Sequence, residues 1–342
     1  MLFCLKIIKA MMQKLIEGFG TQVQKAIQIG QAQALQMPSV ELRNVVVAGL
    51  GGSGIGATLV SSLLADTLKL PFYITKSYDI PAFVNEHTLF IASSFSGGTE
   101  ETLSALDSAL QRGAHINCIS SGGRILDIAR QKGLNAVQIP NEAPCPRAFL
   151  GYSFVQILYV LHHHGLIDKS FEQQLQASVK RLDESLPEIQ QEAKALAALF
   201  QGKIPIIYAD HKWEAVIVRL QQQINENAKQ LCHVNVFPEM NHNELVGWQL
   251  PESYYAQTAV LMLRSNYDHP RVSLRMDICK PIFEAKTRAL RVLSPQGSSF
   301  LEQSLYLIHL FDWTSLYLAE LNGVDAFPVD IIFHLKDELA KV

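Results

Sequence analysis

The chain has 342 residues, 48% of them apolar and 18% charged, and a net charge of −3. That length and composition describe a globular protein with core enough for roughly two domains, and the charge offers no basis for binding nucleic acid or an anionic membrane. No run of about 18 apolar residues occurs, which excludes a hydropathic transmembrane helix. Cys4, Cys118, Cys145, Cys232 and Cys279, odd in number and without a Cys-x-x-Cys pair, read as reduced thiols of a cytoplasmic protein.

Residues Met1–Ala10 are apolar but broken by Lys6 and Lys9 and carry no small-residue cleavage site, so they are not a signal peptide; Met11 and Met12 are alternative starts. Strand-like segments follow at Asn44–Leu50, Leu70–Thr75, Thr88–Ser93, Ala114–Ile119 and Asn135–Ile139, short, β-branched or aromatic, and bounded by turn residues. Helical segments separate most of them, one over Glu101–Leu110 with Leu103, Leu106 and Leu110 at helical spacing. Apolar strands alternating with amphipathic helices imply a parallel sheet covered on both faces.

Residues 167–203 are rich in Gln, Glu, Lys and Ala, with leucines at helical spacing, and read as one long helix or a helix pair. Alternation then resumes, with strands at Ile204–Tyr208, Val234–Phe237, Thr258–Leu263 and Ala289–Leu293, a helix running to about Leu231 and long helices closing the chain. The expected division is 1–165, a helical linker over 166–203, and 204–342. Two similar α/β halves suggest duplicated units, although no residue-level repeat is visible.

Two loops carry the chemistry. Gly49-Leu-Gly-Gly-Ser-Gly-Ile-Gly56 follows the first strand and opens a helix. Its Gly49, Gly51 and Gly54 satisfy G-x-G-x-x-G, a dinucleotide signature that expects an acidic residue about 20 residues on. Thr75-Lys76-Ser77 stands there instead, with Asp79 beyond, which weakens an oxidoreductase reading. The second loop, Ser94-Phe-Ser-Gly-Gly-Thr99, also joins strand to helix, where free backbone N–H groups and the helix dipole favour an anion. Lacking lysine and arginine, it would hold that anion by neutral donors, which suits the phosphate of a small metabolite. Helix capping, the alternative use of these hydroxyls, accounts for one of them, such as Thr99, but not for three.

Gly51-Gly-Ser53 after the first strand with Ser94-x-Ser-Gly-x-Thr99 after a later one resembles the sugar isomerase (SIS) domain, a phosphosugar-binding module. Pro146-Arg-Ala-Phe-Leu-Gly151, Asn225-Glu-Asn-Ala-Lys229, Pro238-Glu-Met-Asn-His-Asn-Glu-Leu-Val-Gly-Trp248, Phe311-Asp-Trp-Thr-Ser-Leu-Tyr-Leu-Ala319 and Pro328-Val-Asp-Ile-Ile-Phe-His-Leu-Lys336 are similar to motifs of the bifunctional phosphoglucose/phosphomannose isomerases, in the same order. The resemblance runs from about residue 12 to the C-terminus. Two departures stand out: Gly98 where that family often has Asn, and Asp325-Ala326-Phe327 where Asp-Pro-Thr is common, the latter bearing on the choice between epimeric substrates.

The resemblance implies two SIS-type doubly wound parallel-sheet subdomains joined by helices, and an aldose–ketose isomerase that interconverts glucose 6-phosphate, mannose 6-phosphate or both with fructose 6-phosphate through a cis-enediol. Substrate binding would fall to Gly51, Gly52, Ser53, Ser94, Ser96, Gly97, Gly98 and Thr99. Glu226 would move the proton, a role given by the resemblance; spacing alone favours a solvated carboxylate paired with Lys229 or Gln230. His242 and Lys336 would serve ring opening, and Arg147 would stabilise the enediolate. Arg219 is a further, weaker candidate, seven residues before Glu226 and nearly on its helical face. A ligand set of His242, Glu244, His233 and His211 lacks H-E-x-x-H spacing, and His162-His163-His164 diverge if helical, so no metal is expected, and no organic cofactor either. The expected partner is a sugar phosphate, in a homodimer with a shared active site to which the neighbouring subunit can lend His242. The competing reading is a non-catalytic phosphosugar-binding SIS protein, which would need neither Glu226, His242 nor Arg147.

Overall fold

In chain order the first half runs α1 (Phe19–Gln31), β1 (Asn44–Ala48), α2 (Gly51–Leu64), β2 (Phe72–Thr75), β3 (Thr88–Ser93), α3 (Glu100–Gln111), β4 (His115–Ser120), α4 (Gly123–Lys132), β5 (Asn135–Gln138) and, after a tight helical turn at Pro146–Phe149, α5 (Leu150–His163). The structure is a computed structural model that describes residues 11–341. Residues 1–10, with Cys4 and the readings made of that segment, lie outside the described residues.

The five strands form one parallel sheet in the order β2-β1-β3-β4-β5. Alternate strand residues point to opposite faces, and here both faces are buried. Val46, Ala48, Phe90, Ala92, Ile116 and Cys118 pack against Ala105, Leu106 and Ala109 of α3 and Ile125 and Ala129 of α4. Val45, Val47, Leu89 and Ile91 face the other way and are equally inaccessible; α2 and α5 pack on one another, α2 touching β1 and α5 touching β4. Burial on both faces is why these strands read as near-continuous apolar runs.

The second half begins with α6 (Ser170–Glu184) and α7 (Leu186–Phe200). The polar stretch is therefore a helix pair, broken at Ser185 with Pro187 in the first turn of α7, where its missing N–H costs nothing. Then follow β6 (Ile204–Asp210), α8 (Glu214–Ala228), β7 (His233–Phe237), the short α9 (Glu244–Gly247), β8 (Thr258–Leu263), α10 (Pro270–Glu284), β9 (Leu290–Leu293), α11 (Phe300–Leu321) and α12 (Asp330–Leu339). Helix α8 stops three residues short of the expected Leu231, because Lys229 takes a left-handed conformation at φ 56° and ends it.

A second parallel sheet has the order β7-β6-β8-β9. Its core includes Tyr208, Phe237, Val260 and Met262 from the strands, Met276 and Phe283 from α10, and Met240, Trp248 and Tyr255 from the connection between β7 and β8. The chain divides into two compact units: Gly18–Asp183 with Ser298–Glu302, and a second made of Glu184–Gly297, Gln303 onward and the described residues up to Glu17. Among the described residues no helix is long and apolar enough to cross a membrane, and Cys118, Cys145, Cys232 and Cys279 are buried free thiols.

Candidate active site

In the first sheet β1 and β3 are hydrogen-bonded neighbours although β2 separates them in sequence. Helical crossovers leave in opposite directions from such a pair, and the gap at the strands' carboxyl ends is where open α/β sheets bind ligands. The Gly49–Ser53 loop follows β1 and the Ser94–Thr99 turn follows β3, so both predicted anion loops sit at that gap.

Their backbones lie against one another. A Cβ on Gly49 would stand 2.9 Å from the Ser93 carbonyl oxygen, and one on Gly52 would stand 3.5 Å from the Pro146 oxygen and 3.8 Å from the Arg147 Cα. The first loop therefore touches both the end of β3 and the arginine turn. Arg147 itself is buried, as are Ser53 and Ser94, whereas Ser96 and Gly98 are exposed and Thr99 half-buried.

The hydroxyls set the turn's shape before any ligand arrives. Ser94 Oγ lies 2.8 Å from Thr99 Oγ1 and accepts from the Gly97 N–H at 3.2 Å, while Ser96 Oγ accepts from the Gly98 N–H at 3.3 Å. Gly97 has φ +67°, and a Cβ there would fall 1.8 Å from the Gly122 oxygen, so only glycine fits. Thr99 occupies the N-cap of α3, but its side chain does not cap the helix, because its hydroxyl is turned to Ser94. This corrects the assignment of Thr99 to capping. No side chain caps α2 either, whose N-cap is Leu50. The free N–H groups of both helix starts thus carry no side-chain acceptor. Glu100 and Glu101 sit in the first turn of α3, so an anion at this turn depends on local hydroxyl and N–H donors rather than on unopposed helix charge.

The other unit holds the remaining candidates on three separate elements. Glu226 lies near the end of α8, a helix packed on β6 and β7. Arg219, Gln223 and Asn227, four residues apart, form its inner polar face. Arg219 reaches both oxygens of Asp312 on α11 at 3.2 and 3.3 Å, Gln223 donates to Asp312 at 2.7 Å, and Asn227 donates to Ser315 Oγ at 2.9 Å. Arg219 is 1% exposed. Its job is to lock α8 to α11, which replaces the reading of it as a further catalytic candidate. The Lys229 ammonium bonds the Glu226 main-chain carbonyl, and the Gln230 amide bonds the Phe200 and Lys203 carbonyls at 3.1 and 2.6 Å.

His242 is exposed and ends a tight helical turn, Glu239–His242, directly after β7. Two residues on, Glu244 holds this segment down. Its carboxylate accepts from the Tyr208 hydroxyl at 2.5 Å, from His233 Nε2 at 2.9 Å and from the Asn235 amide, and Trp248 Nε1 donates to Tyr208 at 3.0 Å. Burial pushes the Glu244 carboxyl up, but the donors from His233, Tyr208 and Asn235 outweigh it and leave the group below its ordinary value. The hydrogen bond to Glu244 holds His233 above its own. Asn243 accepts from the Glu244 N–H, and Asn241 donates to Cys279 Sγ at 3.2 Å and accepts from Arg275 at 3.3 Å.

His233 and Glu244 are thus committed to one another, and among the described residues no group of three or more His, Cys, Asp or Glu is arranged to hold a metal ion. Lys336 lies on α12, whose residues are all exposed. In the Asp325–Phe327 stretch, the Asp325 carboxylate accepts from the Phe327 N–H at 2.9 Å and Ala326 is buried. Glu244 and Asp312 are the structural residues that sequence reading missed, since their partners lie far off in the chain.

A parallel sheet whose switch point is framed by a glycine loop and a serine–threonine turn defines a SIS-type phosphosugar protein. A putative phosphosugar isomerase from Clostridium difficile has the same fold, with a TM-score of 0.75 at 15% identity over 95% of this chain and 97% of that one. Residues 189–339 match the model of the bacterial phospho-glucose isomerase C-terminal SIS domain. Over 329 residues the chain is 38% identical to a bifunctional phosphoglucose/phosphomannose isomerase of Caldicellulosiruptor bescii, covering 94% of this chain and 96% of the relative. It is 35% identical to one of Aquifex aeolicus, covering 96% and 98%. The chain belongs to the bifunctional phosphoglucose/phosphomannose isomerase family.

Proposed function

We propose that the protein interconverts glucose 6-phosphate and mannose 6-phosphate with fructose 6-phosphate, as an aldose–ketose isomerase. The observation that carries this is the pair of uncapped helix starts at the β1/β3 switch point, with the buried Arg147 turn against the Gly52 backbone. Neutral donors in the two loops take the phosphate. Gly51, Gly52 and Ser53 serve from one side and Ser94, Ser96, Gly97, Gly98 and Thr99 from the other.

The chemistry then runs on acid–base groups alone. His242 and Lys336 open the ring by protonating the ring oxygen as the anomeric hydroxyl gives up its proton. Glu226 removes the C2 proton of the open-chain aldose and returns it to C1, while the O2 proton passes to O1. The intermediate is a cis-enediolate, and the fixed positive charge of Arg147 stabilises it, since preorganised charge at a developing oxyanion lowers the barrier most. Neither a metal nor an organic cofactor is needed for any of these steps. The homodimer, the shared site and a cytoplasmic location belong to the same reading.

A coupled assay on purified, chelator-treated protein tests it. Turnover of fructose 6-phosphate to both aldose phosphates is expected, and no turnover would sink the isomerase reading in favour of a phosphosugar-binding protein. Ser96→Ala should raise KM chiefly; a loss confined to kcat would contradict its phosphate role.

A further inference from the structure

Lys76 stands where β2 ends. In the parallel pair Thr75 lies opposite Ala48, and the Gly49 N–H donates to the Thr75 carbonyl at 3.3 Å. The next residue, Lys76, therefore leaves the sheet level with the opening of the glycine loop. Phe72 and Ile74 pair with Val45 and Val47, so alternation turns Lys76 toward the face that α2 covers. Its side chain follows that course: the Lys76 Cε would lie 3.6 Å from a Cβ placed on Gly54. The lysine stem thus runs beside the first turn of α2, the helix start that no side chain caps.

The backbone that carries it is fixed. The buried Thr75 donates its hydroxyl to the Asp79 carbonyl at 2.8 Å and accepts from the Ser77 N–H at 3.4 Å, and Ser104 of α3 donates to the Tyr78 carbonyl at 3.2 Å. Residues 75–79 therefore reach from α2 to α3, the two helices whose starts frame the switch point. The Lys76 side chain itself is exposed and makes no hydrogen bond or ion pair among the described residues. An anchored backbone thus presents an uncommitted ammonium beside the glycine loop.

The site has use for that charge. A phosphate monoester brings close to two negative charges at neutral pH. The Ser94–Thr99 turn has no lysine or arginine to meet them, and Glu100 and Glu101 in the first turn of α3 repel them.

We propose that Lys76 is the cation of the phosphate site, meeting the substrate's phosphate from the β2 side and making the site select phosphorylated sugars. Naming the substrate rests on the isomerase reading above; the need for a counter-charge holds for any phosphosugar seated at these loops. Lysine suits the task as a compact charge with three donors on a flexible stem, hydrated in the free protein and turned to the ligand when it arrives. The hydroxyls and backbone N–H groups then set the position of the phosphate, and Lys76 offsets its charge.

Isothermal titration of fructose 6-phosphate and steady-state kinetics on the full chain test the assignment. Lys76→Gln should weaken binding and raise KM by about tenfold, the scale of one hydrogen bond to a charged group, with kcat within about twofold. Lys76→Arg should restore most of the binding, and added salt should weaken binding by the wild type more than by Lys76→Gln. Lys69→Gln removes the same charge from the opposite end of β2 and should leave KM unchanged. Wild-type affinity in Lys76→Gln overturns the proposal, as does an equal loss in Lys69→Gln, which would trace the effect to net charge. A fall in kcat at constant KM overturns the phosphate role and moves Lys76 to the reacting end. If the wild type binds fructose 6-phosphate without turning it over, the isomerase reading falls while the titration still decides Lys76.

Discussion

The two sheets share a strand order, with the second and third strands of each flanking the first, but their switch points are built oppositely. In the first, no side chain caps the helix after β1 or the helix after β3. In the second, Asp210 accepts from the Lys212 N–H after β6 and from the His269 N–H after β8, both at 2.9 Å. Asp268 accepts from Trp213 Nε1 at 2.9 Å and from the Ser265 N–H at 2.8 Å, and His269 caps α10. Burial holds the Asp268 carboxyl above its ordinary value, and the Asp210 charge nearby adds to this against the hydrogen bonds from Ser265 and Trp213. The N–H groups of Lys212, Ser265 and His269 and the Trp213 indole N–H are thus taken by two carboxylates that would repel an anion. One topology thus supplies a binding gap in one unit and a closed structural corner in the other, and the difference lies in who accepts the loop N–H groups.

On that comparison, and under the proposed mechanism, the second unit would contribute through α8 and the turn after β7, not through its switch point. The largest effect should follow Glu226→Gln, which is expected to lower kcat by about 10²–10⁴ with KM within a few-fold. Near wild-type turnover would remove Glu226 from the mechanism. Next comes Asp312→Ala, which takes the carboxylate away from the buried Arg219 and Gln223 and should cost about 3–5 kcal/mol in denaturant unfolding. A loss below about 1 kcal/mol would mean that Arg219 does not need its partner.

Asp268→Ala removes the acceptor of the Trp213 Nε1–H and the Ser265 N–H in a buried corner and should cost about 1–3 kcal/mol while KM for fructose 6-phosphate stays unchanged. A KM rise instead would mean that the second switch point also handles substrate, which would break the contrast. Ser94→Ala tests the other half: it should raise KM by about five- to tenfold, roughly 1 kcal/mol, and leave kcat largely intact.

The smallest effect concerns the His233–Glu244 pair. Glu244 lies below its ordinary value of 4.5, so its contribution is present above that pH and lost as pH falls through the folded value. His233 lies above its ordinary value of 6.5, so its contribution is present below that pH and lost as pH rises through the folded value. The pair therefore stabilises most between about 4.5 and 6.5. Thermal unfolding across pH should show a shallow maximum there that Glu244→Gln flattens; an unchanged profile would show that the turn is held by Tyr208 and Asn235 alone.

Much of both sheets was legible along the chain. Thr88–Ser93 and Thr258–Leu263 were expected as strands and are strands at those bounds, because residues buried on both faces leave an unbroken apolar run. The glycine loop and the Ser94–Thr99 turn were legible for a similar reason, since tight strand-to-helix turns select residue types one position at a time. Lys229 was not, because its left-handed conformation belongs to glycine or asparagine by preference.

By itself, then, the sequence determined the strands, the helices between them and the two anion loops, all of which follow from hydrogen bonding and burial over a few neighbouring residues. Only the tertiary structure decided that both sheets repeat one strand order, and that Asp210 and Asp268 close the second corner. Glu244 as anchor of the His242 turn and the uncovered α12 are decisions of the same kind. Each depends on partners tens of residues away, where chain spacing carries no information and three-dimensional contact alone sets who accepts each proton.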